Sequence, residues 1–294
     1  MTVTIHEVGG HGPYALTTGP DGALWFTLVG SGEIGRYDVR TGEHTRYAVG
    51  DDTGPTIITT GPDRALWFTE YRAHRIGRIT TGPDPVITHI DLPGESGPFG
   101  IAPGPDGALW FTETASDRIG RVGTDGVVTG FALPHAGAFP SAIATGTDGA
   151  LWFTLNQADQ IGRIDTGGDI TLFPSGPPGS APVGLTAGPD GALWFVEIGA
   201  GRIGRMTPDG AATHVALPDP GARPHAVCAG PGGTVWFTEW AGNAIGSLGP
   251  DGRIDRHDLP VSAAEPHGIA LGPDGAVWAA LEVGALARVA PSAS

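Results

Sequence analysis

The sequence predicts an all-β protein, a seven-bladed β-propeller with four-stranded blades. The first observation is a set of tryptophans that recur every 42 or 43 residues along the 294-residue chain, a period typical of one propeller blade. The second observation is that each of them lies in a variant of G-P-D-G-A-L-W-F-T, a tight turn followed by a strand. The seven tryptophans are Trp25, Trp67, Trp110, Trp152, Trp194, Trp236 and Trp278.

Each repeat reads as four short strands. The first strand is P-x-G-I-A, as at 98–102, and the G-P-D-G turn leads from it to the second strand, A-L-W-F-T. The third strand is R-I-G-R-I or close to it, and a D-G or G-G turn leads to a fourth, more polar strand that ends in L-P. Short strands separated by regular turn signals are typical of all-β folds.

The two ends of the chain predict how the ring closes. Residues 3–8 resemble a fourth strand, whereas the last strand, 285–289, resembles a third. We therefore expect the N-terminal strand to complete the last blade, which removes the exposed edges of an open sheet. The predicted organisation is one domain over 1–294, with blade seven formed from about 1–8 and 263–290.

Composition excludes several classes of partner. The net charge is −15 and every cationic residue except histidine is Arg, so nucleic acid and anionic membranes are poor partners and lysine chemistry is excluded. The one cysteine, Cys228, provides neither a disulfide framework nor a Cys-rich metal site. The sequence has no apolar stretch of membrane-spanning length, and its start does not resemble a signal peptide. We expect a soluble, cytoplasmic monomer.

Departures from the repeat indicate where function lies. The residue after the proline of the first strand should line the mouth of the central channel. Blades six and seven depart from the small or apolar majority through R-P-H and E-P-H, and blade one adds a tyrosine. Blades six, seven and one are neighbours in a closed ring, so Tyr14, His225 and His267 should form one arc. Around the ring these residues are Tyr14, Thr56, Phe99, Ser141, Val183, His225 and His267.

A second set of positions adds carboxylates to this arc. Four residues after the repeat tryptophan, blade six has Trp240 and blade seven has Glu282. Pairing of Gly272 with Val277 would place His267 opposite Glu282, with Cβ atoms about 5 Å apart, although the register could differ by one. Glu265, two residues before His267, should point to the same side.

Two carboxylates meeting at a channel mouth repel each other unless a cation neutralises them. Mg²⁺ is a natural partner, because it takes one or two carboxylates and completes its shell with water and substrate oxygens. His267 could then act as a general base. The alternatives are a surface salt-bridge cluster for Glu265, His267 and Glu282, and ordinary apolar lining for Tyr14 and Trp240.

The whole chain resembles the streptogramin B lyase (virginiamycin B lyase) family over about residues 1–290. The resemblance rests on G-P-Y-A-L near the start, on R-P-H-A-V with F-T-E-W in blade six, and on E-P-H-G-I with a late Glu in blade seven. It implies a Mg²⁺-dependent carbon–oxygen lyase that linearises cyclic depsipeptide antibiotics of the streptogramin B type. The ester is opened by elimination, and the antibiotic is thereby inactivated.

The resemblance also implies residue roles. Glu265 and Glu282 would hold Mg²⁺, and His267 would be the catalytic base. His225, Tyr14 and Trp240 would bind the substrate. The run W-A-A-L-E departs from the W-F-T-E of other blades, so the position of Glu282 depends on the strand register. Two other functions fit the same residues: a non-catalytic ligand-binding or scaffold propeller, and a metal-dependent lactone hydrolase.

Overall fold

The computed structural model describes residues 1–290 and confirms the predicted propeller. Seven antiparallel sheets of four strands form the blades, and in six of them the strands follow chain order from the axis outward. In the seventh, the N-terminal strand pairs with the last strand of the chain, from Thr2 with Ala290 to Glu7 with Ala285. The ring therefore closes as the terminal sequences predicted, and residues 291–294 of the predicted domain lie outside the described part.

The first strands surround the axis and the second strands follow them outward. The tight G-P-D-G turn joins the two. The first strands are Pro13–Thr18, Pro55–Thr60, Pro98–Pro103, Pro140–Thr145, Pro182–Ala187, Pro224–Ala229 and Pro266–Leu271. The second strands are Leu24–Leu28, Leu66–Glu70, Leu109–Glu113, Leu151–Leu155, Leu193–Glu197, Val235–Glu239 and Val277–Leu281.

The third strands are largely buried, and the fourth strands form the more exposed, more polar outer edge. The third strands are Glu33–Tyr37, Arg75–Ile79, Arg118–Val122, Gln160–Ile164, Arg202–Met206, Ala244–Leu248 and Ala285–Ala290. The fourth strands are His44–Ala48, Ile87–Asp91, Val128–Ala132, Ile170–Pro174, Ala212–Ala216, Ile254–Asp258 and Thr2–Glu7. Two single turns of 3₁₀-helix, Asn156–Ala158 and Pro231–Gly233, are the helical segments of residues 1–290, and neither is long enough to cross a bilayer.

One detail of the repeat differs from the sequence prediction. The fourth strands end before the L-P pair rather than with it, as at Asp91 and Ala132. The leucine that follows is buried, and its N–H donates to a carbonyl in the turn between the second and third strands, as Leu92 does to His74. This leucine therefore holds the exit from a blade against that turn.

The repeat tryptophans pack between blades, and in most blades an aspartate paired with an arginine holds the indole in place. In six blades the indole N–H donates to an aspartate four residues earlier, at 2.9–3.1 Å. The other carboxylate oxygen accepts from an arginine Nε on the third strand, at 2.6–2.7 Å. Blade six has Gly232 and Ser247 at these two positions, and the Trp236 indole nitrogen finds no partner among residues 1–290.

Two backbone features recur where the first strands begin. The pairing of first and second strands shifts by one residue directly after the proline in every blade, so each first strand starts with a β-bulge. The residue before each proline also has a positive φ, and only three of these seven residues are glycine. The seven are Gly12, Gly54, Gly97, Phe139, Ala181, Arg223 and Glu265. β-Bulges redirect side chains and are common next to functional sites.

Candidate functional site

The first strands enclose an apolar cavity on the axis of the ring, at whose mouth the predicted arc lies. The cavity has a volume of about 170 Å³, and Tyr14, Phe99 and His225 are among its lining residues. In four of the seven blades the residue after the bulge proline lines this cavity, as the sequence predicted, whereas Thr56, Ser141 and His267 are not among its lining residues. The mouth is the end of the ring at which the first strands begin.

Tyr14, His225 and His267 contact one another at this mouth. The Tyr14 ring lies 4.6 Å from the His267 ring and 5.9 Å from that of His225, measured between centroids. The two histidine rings are 4.9 Å apart and nearly perpendicular. Gly268 permits this approach, because a Cβ at that position would meet the Tyr14 carbonyl oxygen at 2.7 Å. The arc across blades six, seven and one is therefore confirmed as geometry.

The structure also brings both predicted carboxylates to His267. One ligand atom from each of Glu265, His267 and Glu282 lies within 4.8 Å of the other two. The Nε2–H of His267 donates to Glu282 Oε2 at 2.9 Å. The Glu282 side chain is half exposed, whereas that of His267 is only 12% exposed. The cluster therefore opens to solvent on the side of Glu282.

The strand register that was expected to build this cluster is wrong by one residue. Ile269 pairs with Ala279, and after the bulge Pro266 pairs with Leu281. Continued past Pro266, this register sets Glu265, not His267, opposite Glu282. His267 nevertheless contacts Glu282, because it lies in the bulge, where the side chain is not directed by regular pairing.

The loop that presents Glu282 is one residue shorter than its counterparts. Leu281 pairs with Ala285 across three intervening residues, whereas Glu113 pairs with Arg118 across four, as in the other blades. As a result, Glu282 N–H donates to the carbonyl of Ala264. The equivalent N–H groups of the other blades donate one residue later, to the residue with positive φ. The shortened loop sets this carboxylate differently from every other side chain at its repeat position.

Burial and charge set the ionisation of the site. Burial lowers the pKa of His225 to about 3, with His267 nearby acting in the same direction, so His225 is neutral at physiological pH. Burial also raises the pKa of Tyr14, and the charge of Glu282 adds to this effect. The hydrogen bond from His267 lowers the pKa of Glu282 against the effect of burial. The site thus combines a neutral imidazole, a neutral phenol and an ionised carboxylate.

Trp240 lies at the same end of the ring, but its contacts are separate from those of the arc. Its indole packs against Arg223, with the guanidinium carbon 5.9 Å from the ring centroid. Its indole nitrogen is buried, and so are Nδ1 of His225 and Nδ1 of His267. None of the three has a hydrogen-bond partner among residues 1–290. Buried polar atoms without partners are rare in folded proteins and mark positions where a ligand or water can bind.

Sequence reasoning missed one residue that positions the site. Thr238, from the repeated W-F-T, accepts from the N–H of Ala226 and donates to the carbonyl of His267 at 2.8 Å. The same threonine link joins four other pairs of neighbouring blades. Because the same threonine recurs in most blades, only the identity of the residue that it contacts in the next blade could have revealed its connection to the site.

The chain is similar to known proteins of one family. A model of the Virginiamycin B lyase family matches residues 1–289. The virginiamycin B lyase of Saccharopolyspora erythraea is 59% identical over 83 residues, which are 28% of this chain. That segment spans only 27% of the relative's own length.

Two solved structures are similar over almost the entire chain. A virginiamycin B lyase from Staphylococcus aureus is 41% identical, with a TM-score of 0.93 over 98% of each chain. A catalytically inactive histidine-to-alanine variant of virginiamycin B lyase from Staphylococcus aureus, with quinupristin, is 40% identical. The TM-score is 0.92 over 98% of this chain and 99% of that one.

Proposed function

This chain belongs to the virginiamycin B lyase family, and on that premise we propose that it linearises cyclic depsipeptides of the streptogramin B type. The proposed reaction opens the ester of the ring by elimination and so inactivates the antibiotic. The observation that carries the proposal is the cluster of Glu265, His267 and Glu282, which occurs in one blade of seven and lies at the mouth of the axial cavity.

The cluster fits a divalent cation such as Mg²⁺. Ligand atoms around one Mg²⁺ lie roughly 3–4 Å apart, so a spacing within 4.8 Å needs a movement of only about 1 Å. Within residues 1–290, the only ion pair of either glutamate is that of Glu282 with His267, so no arginine satisfies the carboxylates. We propose that Glu265 and Glu282 hold the cation, which when bound would polarise a carbonyl of the substrate.

His267 is the proposed catalytic base. Elimination requires removal of the α-proton of the residue whose β-oxygen forms the ester. In this structure the Nε2–H of His267 is donated to Glu282. If Glu282 held a cation instead, a neutral His267 that carries its proton on Nδ1 would present an unprotonated Nε2 to the substrate. A positioned base of this kind contributes about 10²–10⁴-fold to a rate.

The proposed elimination consumes no water. His267 takes the α-proton, the electron pair of that C–H bond forms the Cα=Cβ double bond, and the Cβ–O bond breaks to release a carboxylate. The product is an open chain with the mass of the ring. His225, Tyr14 and Trp240 are proposed to bind the substrate. The buried indole N–H of Trp240 has no hydrogen-bond partner within residues 1–290, and a movement of the ring would present it to a substrate carbonyl.

Product mass tests this proposal. A streptogramin B is incubated with the purified protein and Mg²⁺, with and without a chelator, and the products are analysed by mass spectrometry. The lyase predicts a linear product of unchanged mass that forms only without the chelator. A product heavier by one water would establish the lactone hydrolase instead. An intact ring after long incubation would leave the non-catalytic ligand-binding propeller as the better description.

We also propose that the protein acts as a monomer in the cytoplasm. The net negative charge, and the pairing of the N-terminal strand with the last strand that closes the ring, support a protein that stays a single chain in solution. Light scattering coupled to size-exclusion chromatography tests this directly. A mass of one chain supports the monomer, and a mass of two chains contradicts it.

A further inference from the structure

A groove between blades five and six opens at the end of the ring opposite the mouth. Its volume is about 460 Å³, within the usual range of small-molecule sites, and Trp194, Val215 and Arg205 are among its lining residues. The other wall includes the turn 249–252 of blade six. Trp194 is partly exposed here, whereas the other six repeat tryptophans are at most 5% exposed.

In four blades the repeat tryptophan stacks on a ring from the fourth strand of its own blade. The ring centroids are 5.4–5.7 Å apart and the planes are within 12–20° of parallel. The partner is always the fourth residue of that strand. The pairs are Trp25 with Tyr47, Trp110 with Phe131, Trp152 with Phe173, and Trp236 with His257.

Blade five has no ring at this position, because Val215 is the fourth residue of its outer strand. The neighbouring turn, 249–252 of blade six, also lies farther from the outer strand of blade five than the equivalent turns lie from their neighbours. A Cβ added to Gly168 would meet Phe131 at 2.4 Å, and one added to Gly210 would meet Phe173 at 2.2 Å. A Cβ added to Gly252, the equivalent glycine in blade six, would meet no atom of residues 1–290 within 4 Å.

A short aliphatic side chain alone does not open such a groove. Blade two has Ile90 at the equivalent position, yet a Cβ on its neighbouring turn glycine, Gly126, would still meet Ile90 at 3.9 Å. Trp67 of that blade is only 1% exposed. The opening in blade five therefore results from the smaller Val215 together with the more distant turn.

We propose that this groove is a second binding site, which takes an uncharged planar aromatic ring stacked on Trp194. The ligand ring occupies the place that Tyr47, Phe131, Phe173 and His257 fill in other blades. Stacked aromatic pairs gain more than their buried area alone provides. This site is independent of the chemistry proposed for the mouth.

The charges of the groove favour an uncharged ring. Asp190 accepts from the Trp194 indole N–H at 3.1 Å and from Arg205 Nε at 2.6 Å, so the two charges compensate each other. Asp190 is 36% exposed, more than any of the five equivalent aspartates, which are 18–22% exposed. The polar edge of the groove is therefore accessible but carries no net charge for an ion to bind.

The test uses the full chain with tryptophan indole groups labelled with ¹⁵N and indole as the probe. Loss of one peak in Trp194→Phe identifies the Trp194 resonance, and Trp240→Phe identifies that of the mouth. Titration with indole is expected to shift the Trp194 peak in a saturable manner. Cyclohexanol, which has no aromatic face, is expected to bind about two- to tenfold more weakly, as judged from the concentration that half-saturates the shift of the same peak.

Val215→Phe places in the groove the ring that blades three and four contain. It is expected to weaken the indole affinity about tenfold or more, whereas Ile90→Phe, the same change in blade two, leaves the affinity unchanged. Thermal melting confirms that both variants fold. The proposal is overturned if indole leaves the Trp194 peak of the unmodified chain unmoved, if cyclohexanol is as effective, or if folded Val215→Phe binds indole normally.

Discussion

Two groups of glutamates differ in burial and in their ion-pair partners. The framework glutamates end the second strands of four blades, and the mouth glutamates are Glu265 and Glu282. The framework glutamates are Glu70, Glu113, Glu197 and Glu239. Glu70 is fully buried and bound by both Arg75 and His89, each at 2.6 Å. Glu197 is equally buried and is bound by Arg202. The mouth glutamates lie in more accessible positions, and the fold supplies them with one histidine and no arginine. Glu70 and Glu197 each come with an arginine, whereas no arginine pairs with the mouth carboxylates within residues 1–290, as the proposed cation site requires.

The largest difference between the two regions is expected in catalysis. His267→Ala should lower kcat/KM for a streptogramin B by about 10²–10⁴-fold, because it removes the base, while the melting temperature changes little. Steady-state kinetics and thermal melting measure both quantities. The matched control is His89→Ala, which removes a histidine from a framework glutamate and should leave kcat/KM unchanged. Full activity in His267→Ala would contradict the assignment of the base.

The free energy of unfolding should depend more on the framework glutamates than on those of the mouth. Arg202→Ala leaves Glu197 buried without its cation and should lower the free energy of unfolding by about 3 kcal/mol. Glu282→Gln should change it by less than about 1 kcal/mol, since that carboxylate is half exposed. Urea unfolding measures both values. Equal losses in the two variants would remove the distinction between framework and mouth glutamates.

The threonine link offers a finer comparison within the framework. Thr238→Val and Thr154→Val each remove the same two hydrogen bonds, one within the blade and one to the next blade. Both should cost about 1 kcal/mol of unfolding free energy. Only Thr238 holds the backbone of His267, so only Thr238→Val should lower kcat, by about tenfold, with little change in KM. Equal kcat values in the two variants would show that His267 is positioned without this link.

The smallest effect concerns backbone strain. Glu265 has φ of 45°, a conformation that favours glycine, so Glu265→Gly should raise the unfolding free energy by up to about 1 kcal/mol. Ala181→Gly, at the same position in blade five, should gain a similar amount. Only Glu265→Gly should lose activity. A net loss of stability in Glu265→Gly would indicate that the carboxylate serves the salt-bridge cluster considered from the sequence, not a binding function.

Sequence could predict the features that repeat. The tryptophan spacing and the turn residues gave the blade number, and the phase of the two termini gave the closure. The arc of Tyr14, His225 and His267 could be predicted because each of these residues differs from the small or apolar residues at the same repeat position in other blades. Here the local and global signals agree, as they do in sequences that fold to one structure.

The β-bulges and most of the positive φ angles could not be predicted, because the residue types at these positions do not indicate the backbone conformation. The bulge after each proline changes the pairing by one, which counting from the turn cannot detect. Positive φ at Phe139, Ala181 and Arg223 is hidden because these residues do not signal it as glycine does. The shortened loop that begins with Glu282 did leave a trace, since Arg288 follows its repeat tryptophan one residue sooner than Arg36 follows Trp25.

Cation binding at the mouth would separate the two kinds of glutamate, and calorimetric titration with Mg²⁺ measures it directly. The unmodified chain should bind one Mg²⁺, and Glu265→Gln and Glu282→Gln should each abolish that binding. Glu113→Gln, which neutralises a buried framework glutamate hydrogen-bonded by Ser116, should retain it. Binding that survives in both mouth variants, or no binding by the unmodified chain, would show that Glu265 and Glu282 do not form a cation site.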